Sequence, residues 1–237
     1  MVGVKSPIPK LPIPTVPRLP RLLGAWGEDP LWGTFYDWTV EHRRLGGAVW
    51  AAGLQSDLGR LYAAAEEIGR LPDDARVLDV PCGGGVALRG LRPDQQVSYV
   101  AADLDPRMLE RTLANARRRG LGHLVRAERA DVGDLPFDDG SFDLVVTFTG
   151  LHCFPDPHAA ILEMARVLRP GGRVTGSAVL EDTGLRFALL REGGRLSGLI
   201  GPGCTSRQVV EWFAEGGVEV RVDLSGALGY FSGTKRA

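Results

Sequence analysis

The sequence predicts an α/β fold: seven strands in a mostly parallel sheet, helices on both faces, an antiparallel last strand and an N-terminal helical cap. Three observations predict it. Short apolar runs alternate with helix-like segments between Val77 and Val179, the pattern of strands joined by crossover helices. A glycine-rich loop, Gly83-Gly84-Gly85, follows the first run. Two final runs are separated only by Ser225-Gly226, a spacing that suits a hairpin.

Taken in order, residues 1–24 form a Pro-rich arm, with six prolines among residues 7–20. Proline fixes φ and removes a donor, so neither a helix nor a central strand is expected there. The prolines also interrupt every apolar stretch that a signal peptide would need. Residues 25–70 read as the helical cap. Trp32, Phe35, Tyr36 and Trp38 crowd its start, and Val49, Trp50, Leu54, Leu58, Leu61 and Tyr62 recur at helical spacing. The core, 71–237, opens with Val77–Val80, an apolar run suited to a buried parallel strand. A helix is expected at 86–92, a strand at 97–102, a helix at 106–119 and a strand at 124–130. The strand Phe142–Phe148, a helix at 157–168 and the strand Arg173–Val179 follow. Residues 181–204, rich in Gly, Leu and Arg, are longer than a normal connection and read as a lid. Thr205 or Ser206 caps a helix at 206–215, and the runs 218–224 and 227–233 close the sheet.

Composition narrows the function. The chain has 237 residues, 44% hydrophobic and 24% charged, with a formal net charge of -1. That is ordinary globular material without the basic surplus of a nucleic-acid binder, so no nucleic-acid partner is expected. Arg117-Arg118-Arg119 reads as a solvated helix end. No apolar run approaches the roughly 18 residues that span a bilayer, so no stable membrane insertion is expected. Three cysteines do not make a disulfide framework, which points to a reducing, cytoplasmic setting. The arm admits a homodimer without requiring one.

The chemistry concentrates in Asp79-Val80-Pro81-Cys82-Gly83-Gly84-Gly85, where a buried strand gives way to a helix. A ligand there lies outside the carboxyl ends of the strands. Gly83 and Gly85 are expected to let the backbone approach it closely. Asp103 ends the second strand, 24 residues after Asp79, where an acid bonds ribose hydroxyls in dinucleotide folds. Asp105-Pro106 supplies the helix cap, which leaves Asp103 for a ligand. The clustered glycines do not match Gly-x-Gly-x-x-Gly, and Asp79, four positions before Gly83, would repel a pyrophosphate and attract an ammonium group.

These residues resemble the class I S-adenosylmethionine-dependent methyltransferases. VLDVPCGGG resembles the family's first motif and YVAADLDPRML its second. RADVGDLPFDDGSFDLVVTFTGLHCFPD resembles the stretch from the adenine contact to the fourth strand, and LRPGGRV the turn before the fifth. Together they span roughly residues 75–180, in the family's order. Pro81 stands where the family usually has glycine.

The resemblance implies a Rossmann-like fold, S-adenosyl-L-methionine as cofactor and the following roles. Asp79 and the backbone at Pro81, Cys82, Gly83 and Gly85 face the methionine moiety. Asp103 accepts from the ribose, and Leu104 and Met108 pack on the adenine. Asp131 accepts from the adenine amino group and Val132 offers its amide. Phe148 and Thr149 lie near the sulfonium, and Tyr36 reaches over the cofactor from the cap. For Leu104, Met108, Val132 and Tyr36 the plainer reading is packing.

Methyl transfer needs collinear positioning, and a base only where the nucleophile carries a proton. His152, directly after the fourth strand, is the candidate base; the alternative is that it orients a loop. His42 is a lesser candidate and His158 reads as structural. Cys82 and Cys153 lack partners at zinc-ligand spacing. Asp134, Asp138 and Asp139 carry no further sign of a metal, so no metal is expected. The cap and lid are apolar (Trp32, Trp38, Trp50, Phe187, Leu189, Leu190), which suits a small hydrophobic or aromatic acceptor taken for O- or C-methylation. Two other readings stand beside this one: a lipid- or quinone-modifying enzyme at a membrane surface, and a non-catalytic cofactor-binding partner subunit.

Overall fold

A computed structural model describes Thr39, Val40 and residues 42–237. The Pro-rich arm and Trp32, Phe35, Tyr36 and Trp38 lie outside the described residues. Seven strands form one sheet: β1 Arg76–Asp79, β2 Ser98–Asp103, β3 Val125–Arg129, β4 Phe142–Phe148, β5 Leu168–Val179, β6 Val218–Ser225 and β7 Leu228–Lys235. Their order is β3-β2-β1-β4-β5-β7-β6. Strands β1 to β5 pair in parallel, and β7 runs antiparallel to both neighbours. The chain moves outward from β1 through β2 to β3, then returns to β4 on the other side of β1. The loops after β1 and β4 therefore diverge, which opens a crevice at the carboxyl ends of these strands.

Alternating side chains feed two cores. Leu78, Val100, Val145 and Val174 face α4 (Pro157–Val167) and α6 (Ser206–Glu215), whose Ile161, Met164, Val209 and Phe213 are buried with them. Val77, Tyr99, Leu144 and Val146 face α1 (Arg43–Leu54), α2 (Leu58–Ala65) and α3 (Pro106–Arg118) through Trp50, Leu58, Leu61, Leu109 and Ala116. A strand buried on both faces carries a near-continuous apolar run, as Val77-Leu78 does in β1 and Leu144-Val145-Val146 in β4. Asp105 caps α3 through the Arg107 amide (2.9 Å) and Asp156 caps α4 through His158 and Ala159. Thr205 and Gln208 form a reciprocal capping box at the start of α6.

Four expectations are revised. The helix at 86–92 is a short 3-10 helix, Val86–Gly90, and not an α-helix. Gly90 presses on α2, where an added Cβ would lie 1.8 Å from the Ala65 carbonyl oxygen, and Pro93 then prevents helix continuation. The cap's periodicity is divided at Gln55, which takes a left-handed φ of 51°, and Val49 faces solvent. Strand β5 begins at Leu168, five residues early, with a register shift that absorbs Pro170, Gly171 and Gly172. The 181–204 segment contains a 3-10 turn, Leu185–Phe187, and a helix, α5 (Ala188–Ser197). Phe187 is buried, but Leu189 is exposed instead of lining a cavity. Among the described residues, no helix is long and apolar enough to cross a membrane.

The Gly90–Ala65 contact makes a direct test. Gly90→Ala should cost about 2–3 kcal/mol, read as a lower denaturant midpoint at unchanged slope.

Candidate functional site

The crevice is lined first by the glycine loop, whose peptide groups are held on three sides. The Cys82 amide donates to the Ala102 carbonyl (2.8 Å). The Gly83 amide donates to Oδ2 of Asp103 (3.0 Å). Thr112 donates its hydroxyl to the Gly83 carbonyl (2.6 Å), and Asn115 donates Nδ2 to that of Gly84 (3.2 Å). Gly83 has φ +48 and nothing within 4 Å of an added Cβ, so its open side faces the crevice. Gly85 is different. Its φ is +87, but a Cβ there would meet Leu88 at 2.8 Å and Thr112 at 3.1 Å. Interior packing requires that glycine, so the expectation that Gly85 makes room for a ligand is not met.

Thr112 and Asn115 were missed in the sequence. Their signal was available: both sit on the buried face of α3, beside Leu109 and Ala116, where a polar side chain needs a partner.

Asp103 ends β2 almost fully buried. Its Oδ1 accepts from the Asp105 amide (3.0 Å), while Oδ2 takes the Gly83 amide. Burial pushes its pKa up, and these amides moderate the rise. A carboxylate oxygen carries two lone pairs, so Asp103 retains acceptor capacity toward hydroxyl groups. The Ala130 amide donates to the Asp103 carbonyl (3.2 Å), which fixes Asp131 just beyond that acid. Asp131 is exposed and accepts from the Gly133 amide (2.9 Å), Leu104 is exposed, Met108 is half-buried, and Val132 is buried in the core.

Asp79, expected to repel a pyrophosphate and attract an ammonium group, does not meet the crevice as a free carboxylate. It is buried, and Tyr99 donates its hydroxyl to Oδ2 at 2.6 Å. Burial pushes its pKa up to about 8, against the lowering effect of the Tyr99 bond. Cys82 is buried beside it, its thiol pushed well up by burial and then by the two acids. Pro81, after a cis Val80–Pro81 bond, abuts the loop beyond β4: a Cβ on Gly150 would lie 2.2 Å from its ring.

On the β4 side, Phe148 is buried and Thr149 is half-buried with φ 54. A non-glycine residue there is strained and needs local support, supplied by its amide on the Ser177 carbonyl (2.8 Å). His152 is buried in the following turn. Its Nδ1 accepts from the Val179 amide at 3.2 Å, so the neutral ring carries its proton on Nε2. Burial pushes its pKa down to about 4. That leaves no free ring lone pair, which does not suit the base expected from sequence.

His158 meets Glu215 (2.7 Å) and stacks on Trp212. Cys153 is half-buried, and Asp139 pairs with Arg166 at 2.7 Å. Among the described residues, no three His, Cys, Asp or Glu side chains converge as a metal site.

Residues 78–175 match the model of a family described as a methyltransferase domain. A 27-O-demethylrifamycin SV methyltransferase of Amycolatopsis mediterranei is 36% identical over 99 residues, covering 42% of this chain and 36% of its own. A ubiquinone/menaquinone biosynthesis C-methyltransferase of Idiomarina loihiensis is 39% identical over 101 residues, covering 42% of this chain and 40% of its own. The chain spans under half the length of the curated relatives it matches. A solved structure of geranyl diphosphate methyltransferase in complex with SAM superposes with a TM-score of 0.61 at 16% identity, over 76% of this chain and 88% of that one.

Asp79 yields a prediction with a definite sign. Its folded pKa lies above the unfolded value of 3.8, so its contribution is fully present below about pH 4 and is lost as pH rises toward 8. Asp79→Asn keeps an acceptor for Tyr99 and removes the titration. The variant should gain stability relative to the native chain between pH 4 and 8, read from denaturant midpoints across that range.

Proposed function

We propose that this chain, which carries a class I S-adenosylmethionine-dependent methyltransferase domain, methylates oxygen or carbon on a small hydrophobic or aromatic acceptor. The observation that carries the reading is Asp103, held by the amides of Gly83 and Asp105 beside the open face of Gly83. That donor set fits the cofactor. A fixed carboxylate suits a ribose diol, and exposed Leu104 with half-buried Met108 suits the flat face of a base. Asp131 is assigned the amino edge of that base and Val132 the backbone amide beside it. The loop backbone at Pro81, Cys82 and Gly83 is assigned the methionine moiety, with Asp79 behind it. Phe148 and Thr149 close the β4 side.

When bound, the cofactor supplies a methyl group on a positively charged, ready leaving group. The protein's part is then chiefly orientation and exclusion of water. His152 offers an N–H from Nε2 and does not take a proton. An acceptor that ionises readily, such as an acidic phenol or a stabilised carbon acid, needs no base from the chain. The names of the two relatives, one for a demethylrifamycin and one for C-methylation in ubiquinone/menaquinone biosynthesis, support a small-molecule acceptor.

A second reading, action at a membrane surface on a lipid or quinone, is supported by one observation. Leu185, Leu189 and Leu196 of the 181–204 segment are 90%, 87% and 78% exposed. Vesicle sedimentation separates the two readings: recovery of the chain with the lipid favours the second, and retention in the supernatant opposes it.

Isothermal titration should show saturable S-adenosylmethionine binding by the intact chain, weakened about 30-fold or more in Asp103→Ala, since hydrogen bonds to a charged group are the strong ones. Absence of binding by the native chain would overturn the proposal. Labelled methyl transfer to a panel of phenols, quinones and fatty acids would identify the acceptor.

A further inference from the structure

The segment between β5 and α6 leaves and returns beside one buried residue. It leaves at Val179, whose amide donates to Nδ1 of His152 (3.2 Å). It returns at Gly201, whose amide donates to the His152 carbonyl (2.8 Å). A Cβ on Gly201 would lie 2.6 Å from the Phe154 carbonyl oxygen, so the returning backbone touches the turn after β4 directly. The segment's base is closed by the Glu181 amide on the Cys204 carbonyl (3.0 Å). The Glu181 carboxylate holds α5 through Arg191 (3.5 Å) and Arg195 (2.5 Å). Arg191 also donates to the Thr183 hydroxyl (3.2 Å) and the Gly184 carbonyl (3.4 Å), and the Leu199 and Ile200 amides return to the Gly194 carbonyl. Gly184 and Gly198 flank this part with φ 103° and 77°.

The turn that carries His152 is itself fixed to the other side of the crevice. Gly150 packs on Pro81 of the glycine loop, and the strained Thr149 hangs from Ser177. A continuous path therefore runs from Pro81 through Gly150 and His152 to Gly201.

We propose that His152 is a positioning residue: its ring holds the departing end of the 180–202 segment and its backbone holds the returning end, so the segment keeps a fixed register with the glycine loop. The link to acceptor binding rests on the function proposed above; the clasp itself does not. The ring works only as an acceptor at Nδ1. A proton there would face the Val179 N–H and break the bond. Asparagine at this position reproduces the acceptor, because its Oδ1 occupies nearly the place of Nδ1. Leucine fills the space without it.

The test uses the full chain and the variants His152→Asn and His152→Leu. The readouts are amide exchange at Val179 and 199–203, tryptic cleavage after Arg186, and S-adenosylmethionine binding by titration. In the leucine variant, exchange and cleavage of the segment should rise about tenfold, the effect of one lost buried hydrogen bond. The asparagine variant should stay within about twofold of native, and exchange in β1 and β4 should not change. Cofactor affinity should stay within about threefold in both, as one net hydrogen bond outside the cofactor contacts would allow. The proposal is overturned if asparagine behaves like leucine, or if leucine leaves the segment's protection intact. Should the leucine variant fail to fold, nitrogen-15 spectra of the native chain decide. An unprotonated Nδ1 coupled to the Val179 amide supports the clasp, and a proton on Nδ1 overturns it. If the native chain binds no S-adenosylmethionine while the exchange pattern holds, the functional reading fails and the clasp stands.

Discussion

The backbone of Gly83 is tied on both sides of its Cα. Its N–H goes to Asp103 at the end of β2, and its C=O takes the Thr112 hydroxyl from α3. A loop closing on a crevice cannot satisfy its backbone groups with a neighbouring strand, yet buried peptide groups must be satisfied. Here a strand end and a helix face do this. The same bonds orient Asp103, so loop geometry and carboxylate geometry are set together. The crevice above them exists only because β1 and β4 send the chain in opposite directions. Packing the two cores against the sheet therefore also fixes the site.

That arrangement gathers acidic groups at low dielectric. Asp79, Asp103 and Cys82 are all shifted toward their neutral forms, with burial as the leading cause. Asp79 and Asp103 each raise the Cys82 thiol further, and Asp103 raises Asp79. Such a cluster opposes an added anion and favours an added cation. A ligand that carries positive charge relieves it, whereas a pyrophosphate would add to it. The loop's surroundings thus favour a cationic ligand over an anionic one.

The sheet was legible in the sequence because its central strands are apolar at nearly every position. Phe142–Phe148 was bounded to the residue, and Asp105-Pro106 marked the start of α3. The glycine loop and Asp103 were legible because their spacing follows from a strand, a tight turn and a second strand. What was not legible depends on contacts distant in sequence. Nothing near Gly90 announces that Ala65 lies against it. Nothing near Asp79 announces that Tyr99 turns its carboxyl inward, and the lone pair of His152 is taken by an amide 27 residues away. The helix α5 escaped notice because Gly193 and Gly194 lower its propensity, while long-range ion pairs to Glu181 hold it.

The antiparallel end of the sheet follows from the same need to bring distant segments together. Strand β6 carries the chain to the carboxyl edge, where the turn at Gly226-Ala227 meets two other elements before β7 runs back along β5. The Ala227 amide donates to the Leu54 carbonyl at the end of α1 (2.8 Å), and the Leu180 amide donates to the Ala227 carbonyl (3.3 Å). Gly226 permits this approach, with φ +60 and an added Cβ that would lie 2.0 Å from the Leu54 carbonyl oxygen. The cap, the last hairpin and the root of the 180–202 segment thus share one row of backbone hydrogen bonds. Because His152 holds that segment's root from the opposite direction, the root is fixed between the cap and the turn after β4. In the proposed reaction, which works by alignment, this double anchoring is what the fold contributes on the acceptor side.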